Sequence, residues 1–330
     1  MKLNILKNQD LKGNVMKTSV VMATYNGESF LKQQFESILM QTVLPDEIVI
    51  VDDNSSDNTS KIITDYVDKY KDDLSFNVTF RDENVGYINN FIDGINKATN
   101  DLIILCDQDD VWKKYKVERI LNFFNSYDDC MVLHTDVNLI DKNGVIIKHQ
   151  FQNYKKFSAK LSIKNMVRKV NYPGMAMAFK KASVIEELNQ IKMQGIVLPT
   201  HDWTIALIGC IKDGFYTSNQ ILTSRRHTEK NVALDINNKV LSIDKRIRGI
   251  LLYERYFKFL NKLSEQANIS IPLNISKYLK CSTKRIEYFT TKNFIEYFKN
   301  LFYLFYYPSI KSYIADGLLL LKFNVKDKEK

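Results

Sequence analysis

Leu102-Ile103-Ile104-Leu105-Cys106-Asp107-Gln108-Asp109-Asp110-Val111-Trp112 drives five apolar residues straight into three carboxylates and then an aromatic side chain. A short continuous apolar run suits a strand covered on both faces, and its C-terminal end opens into the crevice where open α/β sheets bind ligands. Carboxylates gathered there repel one another unless a cation sits between them. The natural partner is a hard divalent ion, Mg²⁺ or Mn²⁺, held by carboxylate oxygens and shared with a substrate phosphate. The plainer alternative is a strand-to-helix turn in which Asp110 caps a helix from about Val111 to Asn125.

The same design recurs upstream. Thr18 to Gly27 reads as a first buried strand breaking into a polar turn, followed by a helix with apolar spacing at Phe30, Leu31, Phe35, Ile38 and Leu39. Glu47 to Val51 is a second strand, running into Asp52-Asp53-Asn54-Ser55-Ser56-Asp57, a run that could equally be a loop of turn formers and helix caps. A third strand, about Asn77 to Arg81, leads to Glu83-Asn84-Val85-Gly86-Tyr87 and another helix, and Leu102 to Cys106 is the fourth strand. This βαβα rhythm predicts an α/β fold, a mostly parallel sheet with helices on both faces.

Four motifs in order, Ala-Thr-Tyr-Asn at 23–26, Val-Asp-Asp-Asn-Ser-Ser-Asp at 51–57, Asn-Val-Gly-Tyr at 84–87 and Cys-Asp-Gln-Asp-Asp-Val-Trp at 106–112, resemble the family 2 glycosyltransferases of GT-A fold. The resemblance covers roughly residues 18 to 235. The Asp-Gln-Asp-Asp-Val-Trp form, with His134-Thr135-Asp136 and His201-Asp202-Trp203 after it, is most similar to the bacterial rhamnosyltransferase-type subgroup. The resemblance implies that Asp109 holds the metal and that Asp107 lies near the ribose or the metal. It implies that Thr24, Tyr25 and Asn26 pack on the nucleotide, that Asp52 or Asp53 reads the base, and that Asn84, Gly86 and Gly174 border the donor. A carboxylate accepting an imide hydrogen bond suits uracil or thymine, so a UDP- or dTDP-sugar is expected.

An inverting transferase needs one general base opposite the leaving group. Asp202, expected at the start of an apolar helix through Ile211, is the candidate that the family pattern favours; without that pattern it reads as a plain N-cap. His201 is a rival base or a loop residue. After a strand from Tyr216 to Thr223 comes Ser224-Arg225-Arg226-His227, similar to the subgroup's Tyr-Arg-x-His-x-x-Asn, with Ser224 in place of Tyr and Asn231 one position late. Arg225 would then bind the diphosphate and His227 would complete the metal shell. The alternative is a solvated basic loop. Pro173-Gly174 is also an ordinary turn signal, and His134 and Asp136, after a strand from Cys130 to Leu133, are expected near the site without an assigned role.

The 330-residue chain exceeds what these motifs cover. We divide it into an N-terminal tail, 1–17, a catalytic domain, 18–235, and a helical C-terminal region, 236–330. No uncharged apolar run is long enough to span a bilayer, and the first seventeen residues lack a cleavable apolar core. Cys106, Cys130, Cys210 and Cys281 have no metal-site spacing and read as reduced, buried thiols of a cytoplasmic protein. The C-terminal region carries 18 Lys and Arg against 8 Asp and Glu, whereas the whole chain is only +9. It is also dense in aromatics, among them Tyr256, Phe257, Phe294, Tyr297, Phe298, Phe302, Phe305 and Tyr307. Such helices lie on anionic membranes, or else pack their aromatics inward and leave lysines in water. No nucleic-acid module is present.

Together with these features, the resemblance implies an inverting, Mg²⁺- or Mn²⁺-dependent glycosyltransferase, expected to be peripheral on the inner face of the plasma membrane. Its expected reaction moves rhamnose from dTDP-rhamnose to a growing cell-surface polysaccharide or lipid-linked oligosaccharide. A UDP-hexose or UDP-N-acetylhexosamine donor is the nearest alternative, and a non-catalytic nucleotide-binding scaffold is an alternative of another class. A nucleotidyltransferase would want a basic, Gly-rich loop after the first strand, and Thr24 to Ser29 has one Gly and no Lys or Arg.

Overall fold

Strands β1 (Thr18–Thr24), β2 (Glu47–Asp52), β3 (Ser75–Phe80) and β4 (Leu102–Asp107) pair in parallel in the order β3-β2-β1-β4. Between them run α1 (Leu31–Leu39), α2 (Thr59–Tyr70) and α3 (Tyr87–Lys97). Every side chain of β2 is buried, as its unbroken apolar run requires when helices cover both faces. Helix α1 turns Leu31, Phe35, Ile38 and Leu39 inward at the expected spacing. The register aligns Thr24 with Asp52 and Ala23 with Asp107, so the polar ends of the strands emerge along one edge.

The computed structural model describes residues 16–149, 158–163, 166, 172–193, 198–227, 242–266, 271 and 273–326. Beyond β4 the sheet becomes mixed. Strand β5 is Val111–Trp112, α4 is Lys116–Ser126, and β6 is Val132–Ile140. Two short strands, β7 (Ile146–Lys148) and β8 (Ala159–Lys160), pair with β6 and β10 at the margins. Strand β9 (Met177–Lys180) lies antiparallel between β4 and β6; α5 (Lys181–Met193) and α6 (His201–Ile211) precede β10 (Phe215–Arg226), which is parallel to β6. The parallel expectation therefore holds for the first four strands, and β9 reverses direction at the centre.

Three local expectations are corrected. The helix expected from Val111 starts at Lys116, because Val111–Trp112 pairs antiparallel with Ser224 and Thr223 and the Trp112 N–H donates to Ser37 Oγ at 3.0 Å. Asp110 caps no helix. The strand expected at Cys130 to Leu133 instead runs to Ile140 with every residue buried. Arg225 and Arg226 are not a solvated loop: they continue β10 opposite Leu139 and Ile140, and both are buried.

Contacts divide the chain into two units, residues 1–166, 170–191 and 200–228 in the first and 167–169, 192–199 and 229–330 in the second. The second contains α7 (Ile243–Gln266), α8 (Ile275–Thr291), α9 (Phe294–Lys299), a 3₁₀ helix (Asn300–Tyr306) and α10 (Ile310–Lys326). Tyr288, Phe289, Tyr297, Tyr307 and Tyr313 form its core with Cys281 and Leu320. About half of the C-terminal aromatics are thus interior, whereas Phe298, Phe302 and Phe305 are exposed. All four cysteines are buried and unpaired.

At the centre of this unit Asp316 is fully buried and bound by two arginines, Arg246 Nε at 2.5 Å and Arg285 Nε at 2.9 Å, while Tyr288 donates its hydroxyl at 2.5 Å. Removing one partner of a buried ion pair strands the other charge. Asp316→Ala should therefore destabilise the second unit by about 3 kcal/mol or more, read as a lower thermal midpoint, with Asp316→Asn intermediate.

Candidate active site

Two turns at the sheet edge are zipped together by side chains that hydrogen-bond backbone. Thr24 Oγ1 donates to Asp52 Oδ1 at 2.6 Å, and Ser55 gives its N–H and hydroxyl to the same carboxylate at 2.9 and 2.7 Å. Asn26, in the left-handed region at φ 48°, accepts from Ser56 N at 2.8 Å. Asp53 receives the N–H groups of Val85 and Gly86, each at 2.9 Å, and lies 4.0 Å from Arg81 Nε. Gly86 adopts φ 83°, open to glycine and strained for any other side chain, and Asn84 Oδ1 accepts its N–H at 3.1 Å. Asp52 and Asp53 are thus buried carboxylates that fix the shape of the turns, and Tyr25 stands half exposed above them.

The acidic turn is tied to the first turn by Gln108, whose Oε1 accepts from Tyr25 N at 2.8 Å while its Nε2 donates to Tyr25 O at 2.9 Å. One oxygen from each of Asp107, Asp109 and Asp110 lies within 4.8 Å of the others, the only such grouping among the described residues; His227, whose N–H donates to Ile140 O at 2.8 Å, falls outside it. Burial pushes all three carboxyls upward, and repulsion from Asp109 adds to the rise of Asp107, to about 7, and of Asp110, which lies well above the usual range. Arg225 opposes the shift in all three.

The neighbouring cations come from distant parts of the chain. Arg226 donates its N–H to Asp110 Oδ1 at 2.9 Å and its Nε to Asp109 O at 2.8 Å, holds the carbonyls of Asp141 and Lys142, and reaches Gln33. Lys116 is fully buried, donates to Met175 O at 2.8 Å and Thr223 Oγ1 at 2.9 Å, and lies 4.0 Å from the Trp112 ring. Burial pulls its ammonium down to about 8, against the pull of Cys106, Asp110 and Asp107. In the sequence Arg226 is the unassigned position of the Ser224-Arg225-Arg226-His227 motif, and Lys116 falls inside the helix expected from Val111 with no role of its own.

Asp202 lies close enough to the acidic turn for its charge to raise Asp107. It lies in the first turn of α6, where Thr200 is the N-cap, accepting from Trp203 N at 3.3 Å. Its Oδ1 accepts from Trp203 N at 2.8 Å and from the Thr200 hydroxyl, and its Oδ2 accepts from Gly174 N at 3.2 Å. A Cβ on Gly174 would stand 2.9 Å from His201 Nε2 and 3.5 Å from Asp202 Cβ, so a glycine is needed for the 174–176 turn to lie against them. Burial and then the charges of Asp202 and Asp107 raise the half-exposed Tyr87 phenol, and Asp202 also raises Asp107. His201 is no loop residue: it is buried, stacked on Phe91 at 4.2 Å, and burial keeps its imidazole neutral. His134 is likewise buried, its imidazole pushed down to about 3 by burial and then by Lys116, and Asp136 is buried in the same strand. Asn231 lies outside the described residues.

A parallel half-sheet that delivers an Asp-rich turn to its edge, extended by a mixed half carrying a facing carboxylate, defines a GT-A glycosyltransferase fold. The profile of glycosyl transferase family 2 matches residues 19–184, half of this 330-residue chain. The chain belongs to that family. It is 30% identical to an uncharacterized glycosyltransferase of Nostoc sp. over 196 residues, 59% of this chain and 58% of that protein. It is 31% identical to the UDP-Gal:alpha-D-GlcNAc-diphosphoundecaprenol beta-1,3-galactosyltransferase of Escherichia coli over 176 residues, 51% of this chain and 60% of the relative. The matches thus span less than two thirds of either relative. Among solved structures, S. aureus TarS 1–349 in complex with UDP has a TM-score of 0.51 at 17% identity, covering 82% of this chain and 81% of TarS. The mannosyltransferase PcManGT of Pyrobaculum calidifontis, solved with GDP-Man and Mn2+, has a TM-score of 0.50 at 14% identity, covering 96% of this chain and 77% of that one.

The acidic turn fits a divalent cation: Asp110 Oδ2 is buried without a hydrogen-bond partner among the described residues, and three raised carboxyls share one small space. A carboxylate must be ionised to ligate. With Asp107 at about 7, Mn²⁺ affinity should rise between about pH 6 and about pH 8 and fall away on acidification, with protons released on binding. Calorimetric titration in buffers of different ionisation enthalpy reads both.

Proposed function

We propose that this chain is an inverting, metal-dependent glycosyltransferase that moves a sugar from a pyrimidine nucleoside-diphosphate donor to a saccharide or lipid-linked acceptor. The observation that carries the reading is the closeness of Asp202 to the Asp107–Asp110 turn: Gly174, whose N–H Asp202 accepts, lies against Leu105 of the strand that ends in that turn, and the charge of Asp202 raises Asp107. The catalytic domain is taken as residues 18–235 and the appendage as 236–330. Thr24, Tyr25 and Asn26 line the nucleotide side, with Tyr25 free to lie against the base, Asp52 and Asp53 shaping the turns that read it, and Asn84 and Gly86 at the border. Asp109 and Asp107 would hold Mg²⁺ or Mn²⁺, with His227 as a further ligand. A bound cation supplies charge neutralisation for the departing diphosphate, and Arg225 adds to that charge.

Attack by the acceptor oxygen forms its bond to the anomeric carbon as the bond to the diphosphate oxygen breaks and the electron pair leaves with the nucleotide. The acceptor's proton passes to Asp202, which the Gly174 and Trp203 N–H groups orient. His201 is the weaker candidate for the base, being stacked on Phe91 and buried.

For the donor we infer dTDP-rhamnose, on the Asp-Gln-Asp-Asp-Val-Trp form of the acidic motif. A UDP-hexose is the second reading, favoured by the UDP-Gal donor of the E. coli relative. That relative's diphosphoundecaprenol acceptor supports a lipid-linked acceptor here, used in a cell-surface polysaccharide. The net charge of the C-terminal region supports work at the cytoplasmic face of the membrane, in peripheral contact with anionic lipid. No described helix is long and apolar enough to cross a membrane.

Incubation with a panel of nucleotide-sugars and Mn²⁺ tests the donor: release of dTDP or UDP from one of them is the expected result. Asp109→Ala should abolish transfer and metal-dependent nucleotide binding with the fold intact, and full wild-type activity in EDTA would refute the metal role. Asp202→Asn should lower turnover by about two orders of magnitude or more while donor affinity survives. Unchanged turnover would move the base elsewhere.

A further inference from the structure

Nine of the large apolar side chains that the described residues expose lie between positions 295 and 321. They form two rows. On α9 and the 3₁₀ helix that continues it, Ile295, Phe298, Leu301, Phe302 and Phe305 are each more than half exposed, Phe302 and Phe305 at 88% and 91%. Three-residue spacing eclipses side chains in a 3₁₀ helix, so Phe302 and Phe305 project together. On α10, Ile310, Ile314, Leu318 and Leu321 repeat at intervals of four and three, again more than half exposed. The opposite faces of both helices are spoken for: Tyr297 stacks on Tyr313 at 4.6 Å and donates its hydroxyl to Tyr313 O at 3.2 Å, while Asp316 is held by the two arginines. Helix α10 also buries Leu319 and Leu320, so both helices present large apolar side chains to solvent beyond those the core takes up.

The charges in this segment are one-sided. Lys292, Lys299, Lys311 and Lys322 are exposed, while of the two acids Asp316 is buried and neutralised and Glu296 is bound by Lys299 at 2.6 Å. Apolar rows flanked by lysines complement a bilayer whose acyl region takes the rows and whose anionic headgroups take the ammonium groups. A second copy of the chain would instead oppose lysine to lysine.

Resting on the peripheral-membrane reading above, we propose that the rows Ile295–Phe305 and Ile310–Leu321 are the surface that inserts into an anionic lipid bilayer. The full chain is tested by co-sedimentation with vesicles of phosphatidylglycerol in phosphatidylcholine and of phosphatidylcholine alone. Intact protein should bind the anionic vesicles, more weakly as salt rises, since ammonium–headgroup attraction is screened and apolar insertion is not. The pairs Phe302→Asp with Phe305→Asp, and Ile314→Asp with Leu318→Asp, should each weaken binding roughly tenfold or more, with an unchanged thermal midpoint and unchanged transfer to a soluble acceptor. Lys292→Glu with Lys299→Glu should remove much of the salt-sensitive part. If the intact chain ignores anionic vesicles at low salt, the peripheral reading itself fails and this surface with it. If the intact chain binds and both row variants bind as tightly, only the surface is refuted. Equal binding to phosphatidylcholine alone overturns the anionic assignment, and self-association lost in the row variants would make the rows a contact between copies.

Discussion

Three carboxylates converging at the end of a buried strand repel one another, and much of the first unit is arranged around that repulsion. Desolvation makes each anion expensive, Asp109 raises Asp107, and both raise Asp110. The protein opposes this with Lys116 from below and with Arg225 and Arg226 at the side. The short antiparallel pairing of Val111–Trp112 with Thr223 and Ser224 brings the end of β10 beside the turn, so sheet topology and site electrostatics are the same fact seen twice. The remaining imbalance is a cost the folded chain carries, and under the proposed function a bound divalent ion would remove it.

Part of this was legible because it is local. Apolar runs ending in Asp and Asn announce strands that discharge at a common edge, and the observed register of Thr24, Asp52 and Asp107 follows from that pattern. Asp202 also sits at a helix start, although Thr200 is the cap. What stayed hidden is long-range. Arg226 reaches Gln33 across 193 positions, Lys116 reaches Thr223 across 107, and Gln108 reaches Tyr25 across 83. No spacing rule encodes such partners. The helix expected after Asp110 failed for the same reason, since a strand partner more than a hundred residues away captured Val111 and Trp112.

The C-terminal aromatics show a different limit. Composition marks the segment as basic and aromatic but cannot say which rings face inward. From Asn300 the helix tightens from α to 3₁₀, which changes the angular step and breaks the phase of any single periodicity. Tyr297 and Tyr307 consequently end in the core while Phe302 and Phe305, between them, stand in solvent.

The paired hydrogen bonds between Gln108 and the backbone of Tyr25 join the base-side loop to the acid-bearing loop as a single mechanical piece. A backbone shift at Tyr25 is therefore felt at the acidic turn, and the reverse. Under the proposed function, a substitution that reshapes the Tyr25 loop for another nucleobase would tilt the carboxylates as well, and one that retunes the carboxylates would shift Tyr25. The 174–176 turn lies outside this clamp but under one of its own, since Gly174 packs against His201 and gives its N–H to Asp202, so none of these loops can be exchanged as a free cassette.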